Sequence, residues 1–340
     1  MKKTVAVMAA FLLLLGAGCA LASKESPAAK YGVAYSPRGY PDSVTDADVR
    51  AFFADARGLG GLVAFHTNWR DNQSAAGEIP QVTQFARAAA KEFGIVPAVG
   101  FGWTVGDQAD LVSVAAPKNN SWLNEETRQK FREMVVSYAK ENQPRFLFLG
   151  NEIDGYYLRA SKKEWQAWVS EFRETYDAVK AASPKTIVFT TLQLERLKGN
   201  GKKNGWRNAP AWELVKDFGD KIDALGFTTY PYFDYDAPAA IPDDYYSEIK
   251  KYWSGPVIFT ELGWLAKNSG PYRGSEAEQT AFVKKFFGLT KELEVKYAAW
   301  LFAHDLSKAP PAFDGIGLKA ADGAPRPAYA AWREMVAGKR

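Results

Sequence analysis

Eight times along this sequence a short run of apolar, β-branched and aromatic residues is followed by a longer stretch with helical spacing. The short runs fall at 31–36, 61–66, 95–101, 145–149, 186–190, 224–228, 256–260 and 297–302. The helical stretches fall at 43–57, 80–93, 124–141, 161–182, 209–218, 242–253, 275–296 and 327–338. Strands that are apolar on both faces belong in a buried parallel sheet, and parallel strands need a crossover between them. Eight such units predict a single-domain α/β fold, the (β/α)8 TIM barrel, over residues 30–340. An open doubly wound sheet is the alternative, but the first strand lacks the Gly-rich phosphate turn such folds carry. No internal repeat and no Pro- or Ser-rich linker divides the body.

The first 22 residues read as an export signal: Lys2 and Lys3, an unbroken apolar run from Val5 to Leu15, then small residues. The run is short for a membrane span. Two cleavage readings stand. Cleavage before Cys19, the sole cysteine, leaves a site for a lipid; cleavage after Ala22 releases a soluble protein. That Cys19 is the only cysteine favours the first; Gly16, where bacterial lipoproteins carry an aliphatic residue, speaks for the second, and the lipoprotein reading is preferred. Residues 23–29 form a tether in either case. The expected product is exported to the periplasm or beyond, monomeric, touching a membrane only through a lipid on Cys19. Neither form makes an internal disulfide, so folding rests on a packed core.

A formal net charge of +4, half of it from Lys2 and Lys3, is too weak to argue for a nucleic-acid partner. Aromatic residues reach 14%, with 11 Trp, more than core filling alone would ask for. In a barrel the residues just after each strand gather at one mouth, where barrel enzymes do their chemistry. Those positions include His66, Asn68 and Trp69, then Trp103, then Asn151, Glu152, Asp154 and Tyr156. They continue through Gln193, Glu195, Tyr230, Tyr232, Glu261, Trp264 and His304. Glu152 and Glu261 each follow an apolar strand, where an unpaired carboxylate pays a desolvation cost. Either alone reads equally well as an ion-pair partner. Together, on the fourth and seventh strands and beside many aromatic rings, they suit glycoside hydrolysis, with one carboxyl as proton donor and the other as nucleophile.

Phe146-Leu-Phe-Leu-Gly-Asn-Glu-Ile-Asp154 resembles the fourth-strand motif of the large clan of retaining (β/α)8 glycoside hydrolases. Pro256-Val-Ile-Phe-Thr-Glu-Leu-Gly-Trp264 resembles that clan's seventh-strand motif, and Asp223 to Tyr232 its sixth. The closing stretch from Gly315 to Tyr329 is similar too. Within the clan, Leu149-Gly-Asn-Glu-Ile153 and Gly226-Phe-Thr-Thr-Tyr-Pro-Tyr232 are most similar to the endo-β-1,4-galactanases. The match is partial: that family's opening motif is missing near Tyr31. The second strand ends in His66-Thr-Asn-Trp-Arg70 instead of the strand-borne Arg common in the clan, a place Arg70 would fill from the loop. Cellulase-like and mannanase-like specificities stay open.

The resemblance implies that Glu152 is the acid/base, Glu261 the nucleophile, Asn151 the contact to a sugar 2-hydroxyl and Tyr230 the partner of Glu261. It also implies Trp300 as a floor of the sugar site. Trp69, Trp103, Tyr156, Trp206, Tyr232 and Trp264 are candidate stacking platforms, each competing with a core reading. His66 and His304 are expected to bond sugar hydroxyls or the glutamates. Two histidines without a matched third ligand make a poor zinc site, and no metal or cofactor is expected. Asp234, Asp236, Asp243 and Asp244 fit no compact calcium loop. Gly199-Asn-Gly-Lys-Lys-Asn-Gly205 lacks the phosphate-loop spacing and reads as a flexible loop. The expected partner is a β-linked glycan. A non-catalytic carbohydrate-binding barrel and a structural surface lipoprotein remain the alternatives.

Overall fold

The computed structural model describes residues 30–69, 81–105, 110–111 and 121–338. The export signal, Cys19, the tether and Arg70 lie outside the described residues. Eight parallel strands close a barrel: β1 (Tyr31–Ala34), β2 (Leu62–Asn68), β3 (Val96–Gly102), β4 (Phe146–Leu149), β5 (Ile187–Gln193), β6 (Ala224–Thr229), β7 (Val257–Leu262) and β8 (Val295–Trp300). Each pairs with its sequence neighbours, and β8 pairs back onto β1 with Ala298 opposite Tyr31. The single-domain (β/α)8 barrel read from the sequence is therefore the fold. A small antiparallel ribbon, Thr104–Val105 with Asp110–Leu111, follows β3.

Among the described residues, six α-helices of eleven residues or more cover the barrel: α1 (Asp46–Gly58), α2 (Gln81–Phe93), α3 (Glu125–Asn142), α4 (Lys162–Ala182), α5 (Glu276–Leu289) and α6 (Pro327–Ala337). Their starts are chemically marked. Thr45 and Asp48 form a reciprocal capping box on α1, and Asn124, Ser161 and Ser275 accept backbone N–H bonds at the starts of α3, α4 and α5. Pro327 opens α6, where its missing N–H costs nothing. Two expected crossover helices shrink to 3-10 turns, Trp212–Phe218 and Ser247–Lys251. Each stretch is closed off by breakers, Pro210 and Gly219 for the first, Pro242 and Gly255 for the second. The expected helix over 275–296 stops at Leu289, because its last residues already belong to β8.

The alternation of strand side chains sorts the core into two layers. Phe146, Phe148, Phe189 and Tyr297 meet inside the barrel, with His66 edge-on above Phe148 at 5.2 Å. Phe65, Phe101 and Phe259 point outward, against Phe85, Tyr138 and Phe286 of the helix layer. The inward set ends at the mouth, where the ends of β2, β4, β6 and β7 supply the site residues.

Candidate active site

Two strand ends carry the carboxylates, and both leave regular strand geometry to do so. After β4 the chain turns at Gly150, whose φ is +82°, and Glu152 itself lies in the left-handed region at φ +52°. For a residue with a Cβ that conformation costs about 1–2 kcal/mol and persists only where its surroundings impose it. They do: Gly150 N–H donates to Phe101 O at 3.0 Å, Ile153 N–H to Thr191 O at 3.1 Å, and Glu152 N–H to Thr191 Oγ1 at 3.3 Å. A Cβ on Gly150 would stand 2.5 Å from Ile153 Cγ2 and 2.6 Å from Trp103 Nε1, so only glycine fits this turn. On β7 the pairing with β6 slips by one residue: Phe227 faces Phe259, but Thr228 faces Glu261. The extra residue swings Glu261 from the helix side to the barrel mouth, as bulges do beside active sites.

The two carboxylates share one constellation. Asn151 donates from Nδ2 to Glu261 Oε1 at 3.4 Å, while its Oδ1 accepts the Thr191 hydroxyl at 2.7 Å. An ionised carboxylate only accepts, and that fixes which way the amide points. Glu261 Oε2 accepts a short hydrogen bond from the Tyr230 hydroxyl, and His66 Nδ1 lies 3.2 Å from Oε1. Glu152 Oε1 accepts the Thr228 hydroxyl at 2.8 Å, and its Oε2 lies 3.4 Å from Arg196 NH2. Arg196 in turn binds Asp154 at 2.6 Å. The side chains of Glu152 and Glu261 keep 16% and 11% of their surface, enough for a ligand to reach them from the mouth.

Burial pushes both carboxyls above the ordinary carboxylate range. For Glu152 the Arg196 guanidinium works against this and the Glu261 charge works with it. For Glu261 the bonds from Tyr230 and Asn151 favour the ionised form. Desolvation holds His66 down at about 4, so it is uncharged at neutral pH beside the Glu261 carboxylate. Behind Tyr230, the buried carboxylate of Glu195 accepts the hydroxyls of Thr229 at 2.8 Å and Tyr245 at 2.6 Å, which ties the floor of the site together.

Glu152, Glu261, Asn151, Tyr230 and His66 thus meet in one place, and the other residues singled out from the sequence do not. Trp69, Trp103, Tyr232, Trp264 and Trp300 are fully buried and Tyr156 nearly so; none offers a ring face to a sugar. Their parity explains it. Each tryptophan stands an odd number of residues from an inward side chain, and so turns to the helix layer. Trp69, Trp103, Trp122, Trp168 and Tyr156 stack there as one aromatic cluster, with centroids 4.5–5.9 Å apart. Trp300 packs on Phe282 and Trp332, and its indole N–H bonds Ile316 O. The aromatic excess is mostly packing. His304 is buried and engaged through Nδ1 with Ser36 O at 3.1 Å, a strap from the end of β8 to that of β1.

Arg196 was not anticipated; its place three residues past the end of β5 was the available signal. Nor is 199–205 a loose loop. Asp234 accepts the Gly201 N–H at 2.8 Å, and Lys203 binds Asp236 at 2.7 Å and the Tyr232 and Tyr235 carbonyls at 3.3 Å. Asp243 pairs with Lys285 at 2.8 Å. Among the described residues no cluster of three or more His, Cys, Asp or Glu is arranged to hold a metal ion.

A closed parallel barrel with two glutamates at the β4 and β7 ends, one of them preceded by Asn, defines the (β/α)8 glycoside hydrolase class. Within it, the chain belongs to glycosyl hydrolase family 53, whose sequence profile matches residues 118–297, just over half its length. No curated protein matches the chain significantly. Solved structures similar to it include a glycoside hydrolase family 5 subfamily 18 protein from Streptomyces cattleya in complex with GlcNAc. That match has 18% identity and a TM-score of 0.69, over 93% of this chain and 80% of that one. The exo-β-1,4-mannosidase Op5Man5 from Opitutaceae bacterium strain TAV5 is similar at 15% identity and a TM-score of 0.66, over 93% of this chain and 62% of that one. A family 39 glycoside hydrolase from Bacteroides cellulosilyticus WH2 is similar at 19% identity and a TM-score of 0.60, over 90% and 62%. The chain spans under two thirds of the length of these last two. At such identities the likeness is one of fold.

Proposed function

We propose that this protein is a retaining glycoside hydrolase that cleaves a β-linked polysaccharide or oligosaccharide by double displacement. The observation that carries the reading is the bridge between the two strand ends: Asn151 reaches from the residue before Glu152 to the carboxylate of Glu261. In the first step ionised Glu261 attacks the anomeric carbon, and the bond from that carbon to the leaving oxygen breaks. Protonated Glu152 gives its proton to that oxygen. In the second step Glu152, now ionised, takes a proton from water; the water oxygen bonds the anomeric carbon and the ester to Glu261 breaks. Tyr230 and Asn151 hold Glu261 in its ionised, attacking form.

Membership of family 53 and the likeness of 149–153 and 226–232 to endo-β-1,4-galactanases put β-1,4-galactan first among substrates. The similarity to a β-1,4-mannosidase puts mannan second. The order of charge, apolar run and small residues over 1–22 supports export, with Cys19 as a lipid site.

The test is a panel of β-1,4-galactan, mannan, glucan and xylan, with the anomer of the first product read by proton NMR. Release of the β-anomer from one of them is expected. Release of the α-anomer overturns retention, and no cleavage of any of the four overturns the enzymatic reading. Glu152→Gln and Glu261→Gln should each abolish cleavage while oligosaccharide binding persists; normal turnover by both variants would remove these residues from the mechanism.

A further inference from the structure

Nine of the 11 tryptophans are buried. The two that keep exposed surface are Trp206 and Trp253. Trp253 precedes β7, at the end of the barrel away from the mouth, and its indole N–H is tied to Pro256 O at 2.8 Å. Trp206 sits on the loop that follows β5, on the mouth side. Arg196 links it to the chemistry: the guanidinium lies 5.0 Å from the Trp206 ring centre and its NH2 lies 3.4 Å from Glu152 Oε2. One guanidinium therefore separates this half-buried indole from the proposed proton donor. The proton goes to the oxygen of the departing sugar, so that sugar must lie on the Glu152 side of the cleft, away from Glu261.

The loop is built to hold the ring still. Gly201, at φ +85°, presses bare backbone against the indole; a Cβ there would stand 2.2 Å from Trp206 Cε3. Asp234 fixes the Gly201 amide, the Tyr272 hydroxyl binds Asn204, and Asn208 bonds Arg196 O at 2.7 Å. Phe233 meets the ring edge-on at 5.6 Å. A ring fixed before the ligand arrives loses little entropy on binding it.

Resting on the hydrolase reading above, we infer that Trp206 is the stacking platform for the sugar on the leaving-group side of the cleaved bond. A flat indole suits the apolar C–H face of a pyranose, and Arg196 places that face beside the group that protonates the departing oxygen.

The experiment compares two probes on wild type, Trp206→Phe and Trp206→Ala: β-1,4-galactotetraose, which fills the leaving-group side, and β-galactobiosyl fluoride, which has no leaving sugar. If the panel shows cleavage of another glycan, the matching pair of probes replaces them. Trp206→Ala should lower kcat/KM on the tetraose about tenfold or more. Its kcat/KM on the fluoride should stay within about threefold, and Trp206→Phe should stay close to wild type on both. Added galactobiose should divert wild type to transfer product, and Trp206→Ala much less. Equal losses on tetraose and fluoride would make Trp206 a structural residue and overturn the inference, as would unchanged kinetics and transfer. A wild type that cleaves nothing would instead sink the hydrolase reading, and the inference with it.

Discussion

Arg196 and Asp154 should move the ionisation of Glu152 in opposite directions. Replacing Arg196 with Gln removes the cation 3.4 Å from Glu152 Oε2. Two unit charges about 4 Å apart at an effective permittivity of about 20 interact by about 4 kcal/mol, which is a ceiling of about three pH units. Water entering the vacated space screens part of that, and a rise of about one to two units is the expected remainder. The sign follows from the chemistry. Arg196 favours the carboxylate, so its loss raises the pKa of Glu152. In the proposed mechanism Glu152 carries its proton in the first step, so the alkaline limb of kcat/KM moves up. Asp154→Asn removes a negative charge that disfavours ionisation of Glu152, and frees Arg196 from its 2.6 Å partner to lean on Glu152. The alkaline limb then moves down. The assay is kcat/KM against pH with an oligosaccharide the wild type cleaves, because that ratio reports the free enzyme's groups. Both limbs unmoved, or both moved the same way, would refute the assignment of the proton to Glu152.

His66→Phe keeps the ring over Phe148 and removes the Nδ1 donor 3.2 Å from Glu261; losing it makes ionised Glu261 less favourable, so the acid limb of kcat/KM should shift to higher pH. Gly150→Ala forces a Cβ against Ile153 and Trp103 at positive φ, and should cost more than about 2 kcal/mol in urea unfolding and lower kcat as Asn151 and Glu152 shift. Glu171, buried between α3 and α4, has its pKa pushed up to about 7 by desolvation. The folded chain therefore holds a proton that the unfolded chain has released between its ordinary value of 4.5 and about 7, so stability falls as pH rises through that window and is level above it. Glu171→Gln should match wild type near pH 4 and be more stable near pH 8 by up to about 3 kcal/mol in urea melts; parallel curves at both pH values would refute this.

The barrel was legible because it depends on period and repetition: eight apolar runs, each followed by a helical pattern, leave few ways to close a core. The carboxylates were legible for the same reason, since Glu152 and Glu261 end two of those runs. The platforms were misread because a strand-end position says that a residue is near the mouth, not which way it points. Counting parity from His66, Gly100 and Glu261 would have turned Trp69, Trp103 and Trp264 outward. Arg196 escaped notice because its role depends on a turn after β5 that folds it back over β4, and no local pattern records that contact. The 199–205 loop looked mobile from its glycines, yet the residues that pin it, Asp234, Asp236 and Tyr272, come from later in the chain.

In the proposed mechanism two chemically identical side chains do opposite jobs, and the structure gives them different partners. Glu261 takes bonds from a phenol and an amide, both of which favour its carboxylate without adding a formal charge, and an uncharged imidazole lies 3.2 Å away. Glu152 accepts from the Thr228 hydroxyl and from Arg196, and faces the charges of Glu261 and Asp154. The pair titrates as a unit, and the proposed mechanism needs its one proton on Glu152, which the charges of Glu261 and Asp154 favour. That division reverses by itself when the reaction proceeds. Once Glu261 is esterified its charge is gone, so the repulsion that kept Glu152 protonated ends while Arg196 remains in place. The pKa of Glu152 then falls, and the group that gave a proton to the departing sugar becomes the base that takes one from water.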